Sequence, residues 1–361
     1  MHNKVNFYLA QLNRGGAVSP DLLDSLPEDD KEIFLSTLVK YIHRRGYYIH
    51  AEYNLLQRQS MFANLRHLSP HGIWRGKICL EQNFTAQGLT WFYFPHVIDI
   101  PAGKGKKILG EVLRDPSLLR QSLARSLMMH AKHETMVSWR SLEHQLPTMN
   151  GTQMASNFRP SAAKAIYSKF APHGTVWDMS CGHGGRLLGA LSAPIAKYIG
   201  TDPSTPTMAG LLRMVSDLGT LSPTQIELHQ CGSEVFVPSE PVDFCFTSPP
   251  YFNTERYTEE PTQSWKKFPT LEKWLDGFLR KTVRNCGRCL KPSGILALNV
   301  SEYLEEAVEK ICRKEGFVKV EKLYLLLSKM PGSAAKRSKV ASNRTKMFGR
   351  VTEPILIFDR G

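Results

Sequence analysis

Residues Val242-Asp-Phe-Cys-Phe-Thr247 form an apolar run that stops abruptly at Ser248-Pro249-Pro250-Tyr251. Six such residues, rich in aromatic side chains, read as a β-strand. Two successive prolines remove backbone donors and fix φ near −65°. They also restrict the residue before them to extended geometry. The chain must therefore leave the sheet here, with the local carbonyls and the Ser248 side chain held in one arrangement.

The run sits inside a longer pattern. From about residue 155, strands alternate with helices, which predicts a doubly wound, Rossmann-like α/β domain with crossover helices over a parallel sheet. Strands are expected at Thr175–Asp178, Tyr198–Asp202, Ile226–His229, Asp243–Thr247 and Gly294–Val300. Helices are expected at Arg186–Ser192, Leu271–Cys289 and Tyr303–Glu315. Val318–Leu327 and Pro354–Phe358 are expected to close the domain as a hairpin. A ligand of such a domain binds at the carboxyl ends of the strands.

Residues 1–150 differ in texture and read as a mixed α+β N-terminal domain for target or partner recognition. Ser25 and Glu28 suggest a capping box for a helix that ends at Gly46. Tyr47–Tyr53, Ile73–Leu80 and Leu89–Phe94 suggest strands by their aromatic content, with Trp91, Phe92 and Tyr93 on the last. A long helical pattern then carries Arg114, Arg120, Arg125 and Lys132. The remainder, 151–361, is the catalytic domain in this reading.

Composition narrows the class. The 361 residues are 42% hydrophobic and 22% charged, as in an ordinary globular protein. No run of about 18 apolar residues suggests a membrane span, and Met1–Gly16 holds no signal-peptide core. A cytoplasmic location follows, nucleoid-associated in a bacterium or phage. The seven cysteines make no disulfide framework. The pair Cys286 and Cys289 reads as two helix-face thiols, and no metal is assigned. The 46 basic against 33 acidic residues leave a net charge of +13, a field that attracts polyanions.

Asp178-Met-Ser-Cys-Gly182-His-Gly184-Gly185 lies between an expected strand and helix. Glycines in such a turn let the backbone approach a ligand and the helix pack on the strand. Asp202, about twenty residues on and at the end of the next strand, suits a ribose diol. Arg186 and Leu187 follow the glycines directly, so the full dinucleotide fingerprint is absent. The combination favours an adenosyl cofactor without a pyrophosphate. At Ser248-Pro249-Pro250-Tyr251, a flipped base offers its amino hydrogens to Ser248 Oγ and a carbonyl such as that of Pro249. That aims the nitrogen lone pair at a methyl donor, with Tyr251 as the stacking surface.

These residues resemble the S-adenosylmethionine-dependent DNA amino-methyltransferases that act on cytosine N4 or adenine N6. Their (Asp/Asn/Ser)-Pro-Pro-(Tyr/Phe) hallmark matches Ser248 to Tyr251, their glycine motif matches Asp178 to Gly184, and their ribose acid matches Asp202. Asn157-Phe-Arg-Pro160 resembles the family's cofactor-flanking helix. The resemblance spans roughly 155–360 and implies a class I methyltransferase fold with S-adenosyl-L-methionine as cofactor. It implies catalytic roles for Ser248, Pro249, Pro250 and Tyr251. It implies cofactor contacts at Phe158, Pro160, Asp178, Ser180, Gly182, Gly184, Asp202, Ser233 and Thr247. Direct SN2 transfer needs alignment and desolvation, and no covalent enzyme intermediate.

The chain departs from the pattern in three places. Met179 and Ser180 replace the usual Pro-Phe. Cys231-Gly-Ser233 with Glu234 stands where an acid often meets the cofactor's adenine amine. No recognition insert separates the glycine motif from the proline pair. Nucleic-acid contacts are therefore expected from Phe252, Asn253 and Arg256, and from the acid-free segment carrying Lys336, Arg337, Lys339, Arg344 and Lys346. DNA is the expected polymer and RNA the alternative. A second alternative is a non-catalytic nucleic-acid-binding subunit. Nothing in the sequence sets the oligomeric state.

Overall fold

A computed structural model describes residues 3–46, 53–102, 105–252, 256–327 and 345–360. The chain divides into two compact units, Met1–Tyr53 with Pro95–Ser156, and Asn54–Phe94 with Asn157–Gly361. The expected boundary near 150 falls close to the second crossing, but 54–94 pack with the C-terminal unit. The strand expected over Tyr47–Tyr53 lies, Tyr53 apart, outside the described residues.

The first unit is helical among its described residues. Its core gathers Phe34, Leu38, Leu119, Leu123 and Leu142. The helix Glu28–Arg45 starts after Pro27 with no side-chain cap. Ser25 instead closes the short helix Pro20–Asp24, donating to the Leu22 carbonyl, so the capping box does not form. The long basic pattern is two helices, Leu109–Arg114 and Pro116–Lys132. They break at Asp115, whose carboxylate caps the second on the amides of Ser117 and Leu118.

The second unit contains the sheet. Its strands in chain order are β1 (Trp74–Arg75), β2 (Cys79–Leu80), β3 (Thr175–Asp178), β4 (Lys197–Thr201), β5 (Gln225–His229), β6 (Val242–Thr247), β7 (Leu290–Asn299), β8 (Phe317–Leu326), β9 (Lys346–Met347) and β10 (Arg350–Arg360). The spatial order is β1-β2-β8-β10-β7-β6-β3-β4-β5, with β9 beside β10. Strands β5, β4, β3, β6 and β7 run parallel, and β10 enters antiparallel between β7 and β8. This is the doubly wound class I methyltransferase arrangement, and the expected closing hairpin is β8 with β10. The order reverses at β3, so the crevice outside β3 and β6 is the switch point where such sheets bind ligands.

The segment 54–94 extends this sheet through β2, which pairs in parallel with β8. The expected strand Ile73–Leu80 is in fact a tight β1–β2 hairpin over Gly76, whose φ is +67°. Leu89–Phe94 is likewise not a strand: Gln87–Phe92 is a helix. Leu89 and Thr90 in the helix are buried together with its C-cap Tyr93 and the following Phe94, a spacing of one helical turn that aromatic content masked. Lys164 joins the segment to the helix Pro160–Phe170. Its ammonium donates to the carbonyls of Leu65, Arg66 and Leu68 at 2.9, 2.7 and 2.8 Å. These oxygens lie at the carboxyl end of the helix Leu55–His67, where the Leu68 amide reaches only the carbonyls of Asn64 and Leu65.

Charge is distributed unevenly. The first unit holds 14 Lys and Arg against 12 Asp and Glu, and the second holds 32 against 21. The basic surplus thus belongs mostly to the unit with the sheet.

Candidate active site

The glycine turn links β3 to the helix Gly185–Ser192. Gly182 and Gly184 take φ of +54° and +71°, which a side chain would strain. A Cβ at Gly185 would lie 1.8 Å from the Phe158 carbonyl oxygen, so only glycine lets the chain before Pro160 cross there. Asp178, fully buried at the end of β3, organises the turn. Its Oδ1 accepts from Thr247 Oγ1 at 3.0 Å and the Ser180 amide at 3.2 Å, while Oδ2 accepts from Arg186 Nε at 2.9 Å and the Tyr198 hydroxyl at 2.8 Å. Protein donors therefore fill its acceptor positions. Arg186, which the sequence reading used only to set aside a dinucleotide site, closes this network by also donating to the Ser180 carbonyl.

Asp202 stitches the turn to β4. Its Oδ2 accepts the Gly182 amide at 2.9 Å and its Oδ1 the Ser204 amide at 3.0 Å. Burial pushes its carboxyl up to about 6, against the pull of those two amides. Phe158 stands edge-on to Phe246 at 5.4 Å, with the Arg186 guanidinium 5.6 Å from its ring. Pro160 is buried as the first helical residue. Ser233 is turned into the protein: its hydroxyl meets Thr282 Oγ1 at 2.9 Å and its carbonyl accepts from Asn285. The neighbouring Glu234 is ion-paired with Lys267.

Ser248 follows β6 directly, in register with the end of β7 through Thr247 and Leu298. Its Oγ lies 3.3 Å from the Tyr251 hydroxyl. That hydroxyl donates to Glu353 Oε1 at 2.8 Å and approaches Asn299 at 3.4 to 3.5 Å. The Tyr303 hydroxyl donates to the Tyr251 carbonyl at 3.0 Å. Tyr251 is thus held by its hydroxyl and by its backbone carbonyl, and burial beside Glu353 raises its phenol well above the usual range. Glu353 and Asn299 escaped the sequence reading because neither lies near a motif; β10 and β7 bring them in. Phe252 has φ of +57° and its ring lies 6.3 Å from that of Trp274.

Of the expected nucleic-acid contacts, Arg256 stacks its guanidinium 4.8 Å from the Trp265 ring, and Lys346 is exposed on β9. Asn253, Lys336, Arg337, Lys339 and Arg344 lie outside the described residues. Among the described residues no group of three His, Cys, Asp or Glu is arranged to hold a metal ion. No helix among them is long and apolar enough to cross a membrane.

Solved structures similar to this chain include an S-adenosylmethionine-dependent methyltransferase from Clostridium acetobutylicum, at 9% identity over 55% of this chain and 88% of that one, TM-score 0.36. An rRNA methylase from Streptococcus thermophilus is 13% identical over 57% and 99%, TM-score 0.35. TrmN from Thermus thermophilus is 14% identical over 63% and 56%, TM-score 0.38. At these scores the fold assignment rests on the strand order of the chain itself. No curated protein matches the chain. Residues 242–361, which hold Ser248-Pro249-Pro250-Tyr251 and strands β6 to β10, match the family model for N6- and N4-type DNA methylases, and on that match the amino-methyltransferase resemblance stands.

Proposed function

We propose that this protein transfers a methyl group from S-adenosyl-L-methionine to an exocyclic amino nitrogen of a base in DNA, cytosine N4 or adenine N6. The observation that carries the reading is the position of Ser248-Pro249-Pro250-Tyr251. It follows β6 directly, beside the glycine turn that follows β3, at the switch point of the sheet.

The residues present suit the cofactor. Gly182 and Gly184 open the turn, and Asp202 keeps lone pairs beyond those used by two amides, which suits the hydroxyls of a ribose diol. Phe158 and Pro160 flank its methionine end. Asp178 and Thr247 act by holding the turn, since their polar atoms are committed to each other and to Arg186 and Tyr198. The sulfonium, when bound, supplies an activated methyl.

The rest falls to the protein. Ser248 Oγ and the Pro249 carbonyl accept the amino hydrogens of an extruded base, which localises the lone pair on the nitrogen that attacks. With the methyl donor bound, attack by that nitrogen would form the N–C bond as the donor's C–S bond breaks, and the extra amino proton would leave to solvent or a neighbouring acceptor. Tyr251, fixed through Glu353, keeps the base in the plane that this alignment requires. The basic surplus of the second unit, with Lys346, Lys336, Arg337, Lys339 and Arg344 in one stretch, suits the phosphates.

The test is transfer of radiolabelled methyl to unmodified duplex DNA, single-stranded DNA and transfer RNA in parallel, followed by nucleoside mass analysis. Label on DNA as a methylated amino group supports the reading. Label on transfer RNA alone moves the polymer to RNA. Binding of S-adenosylmethionine without transfer to any polymer overturns it.

A further inference from the structure

Arg159 is 8% exposed, and its Nη1 is buried with no hydrogen-bond partner. The other buried cations near the turn are satisfied: Arg186 by Asp178, and Lys164 by three carbonyls. Arg159 has charged neighbours in Glu353, Glu81 and Arg350, yet it forms no ion pair with them. Burial lowers its pKa to about 10, so it stays charged at neutral pH. A buried guanidinium nitrogen without a partner is costly, and a ligand acceptor is one way in which such a group is completed.

Its place is informative. Arg159 follows Phe158, whose carbonyl packs on the glycine turn, and it neighbours Glu353, which holds Tyr251 against Ser248. It therefore stands between the cofactor turn and the base-binding corner. Glu353 and Glu81 balance its charge without capping it. Glu81 is itself occupied by Arg75 and Arg350.

We propose that Arg159 reads the target base, its planar fork donating to the N3 and O2 acceptors of a flipped cytosine while Ser248 and Pro249 accept from N4. The inference rests on the amino-methyltransferase reading above and narrows it to one base. A guanidinium fork needs two acceptors side by side. Along the pairing edge of cytosine the order is amino donor, then the N3 and O2 acceptors. Along that of adenine a single acceptor, N1, is followed by a C–H. Acceptors at Ser248 and Pro249 beside a two-donor fork thus complement cytosine completely and adenine only in part.

The experiment uses the full chain, as wild type, Arg159→Met and Arg159→Lys. S-adenosylmethionine affinity is measured by calorimetry. Single-turnover methyl transfer is measured on DNA oligonucleotides at saturating cofactor, with nucleoside analysis. Wild type is expected to yield N4-methylcytosine. Arg159→Met should lower the rate constant or raise the half-saturating DNA concentration, together roughly 5- to 150-fold, the worth of one bidentate base contact. Its cofactor Kd should stay within about threefold. Arg159→Lys, which keeps the charge and loses the fork, should fall in between and serves if the methionine variant does not fold.

Label appearing only as N6-methyladenine overturns the assignment and leaves the enzyme class standing. A weakened cofactor Kd with an unchanged rate at saturation also overturns it, because Arg159 then holds the cofactor's carboxylate. Failure of the wild type to methylate any polymer removes the parent reading and this inference together.

Discussion

The hydroxyl of Tyr251 donates to the carboxylate of Glu353 at 2.8 Å, although 102 residues separate them. The contact joins the loop after β6 to the start of β10, the antiparallel strand beside β7. A phenol buried against a carboxylate keeps its proton, so Tyr251 serves as a fixed donor and a held ring. In the proposed reaction Glu353 is a positioning residue, acting on the base through Tyr251.

Glu353→Gln and Tyr251→Phe should each lower turnover roughly 10- to 100-fold, the range for a hydrogen bond to a charged group. S-adenosylmethionine affinity should stay within about threefold. Because the two groups act as one, the double variant should be no slower than the worse single variant. Single-turnover rates across this cycle check the point. Additive losses would mean that the two residues act separately.

Ser248→Ala removes the acceptor proposed for the amino hydrogens and leaves Tyr251 on Glu353. Turnover should fall by about 100-fold or more, on the scale of lost alignment at a reacting centre, with cofactor affinity within about twofold. Parallel calorimetry and transfer assays separate the two effects. Unchanged turnover would remove Ser248 from the mechanism.

The motifs and the order of the α/β elements were legible in the sequence because the apolar strands alternate with helical patterns and the turns after β3 and β6 carry residues with distinct backbone demands. Gly182, Gly184 and the pair Pro249-Pro250 announce where the chain must turn. Residues 54–94 were harder to read. Their aromatic side chains imitate strand composition, while Leu89 and Thr90 are buried within a helix that Tyr93 caps. Their membership in the second unit depends on long-range partners, β8 for Cys79 and Lys164 for Leu65. At the site, Ser233 matched by position, yet its hydroxyl is spent on Thr282. Glu353 and Asn299 were invisible because a fold, and no local motif, assembles them.

Lys164→Met should destabilise the protein by roughly 2–4 kcal/mol, because it strands the carbonyls of Arg66 and Leu68 and leaves that of Leu65 only the Leu68 amide. For a unit of this size that is a fall in melting temperature of about 4–16 °C. Early proteolysis within 54–94 should accompany it if the segment detaches first. Thermal melts and timed digestion read both. An unchanged melting temperature would show that water replaces the ammonium at little cost.

The Asp202 carboxyl gives the site a pH dependence with a definite sign. Its ordinary value is 3.8, and burial raises it to about 6 in the folded chain. Below pH 3.8 it is protonated folded or unfolded and costs nothing. Between 3.8 and 6 the unfolded chain releases the proton first, so stability declines, and above 6 the full cost of roughly 3 kcal/mol applies. Cofactor binding follows the opposite course. A ribose diol donates to the ionised carboxylate, so below pH 6 binding must first remove a proton. Affinity should therefore fall up to tenfold per pH unit there and level off above about pH 7. Asp202→Asn, which cannot titrate, should bind weakly at every pH. Calorimetric titration with S-adenosylmethionine from pH 5 to 8 measures both curves. A wild-type affinity that is flat across that range would mean that Asp202 does not receive the ribose.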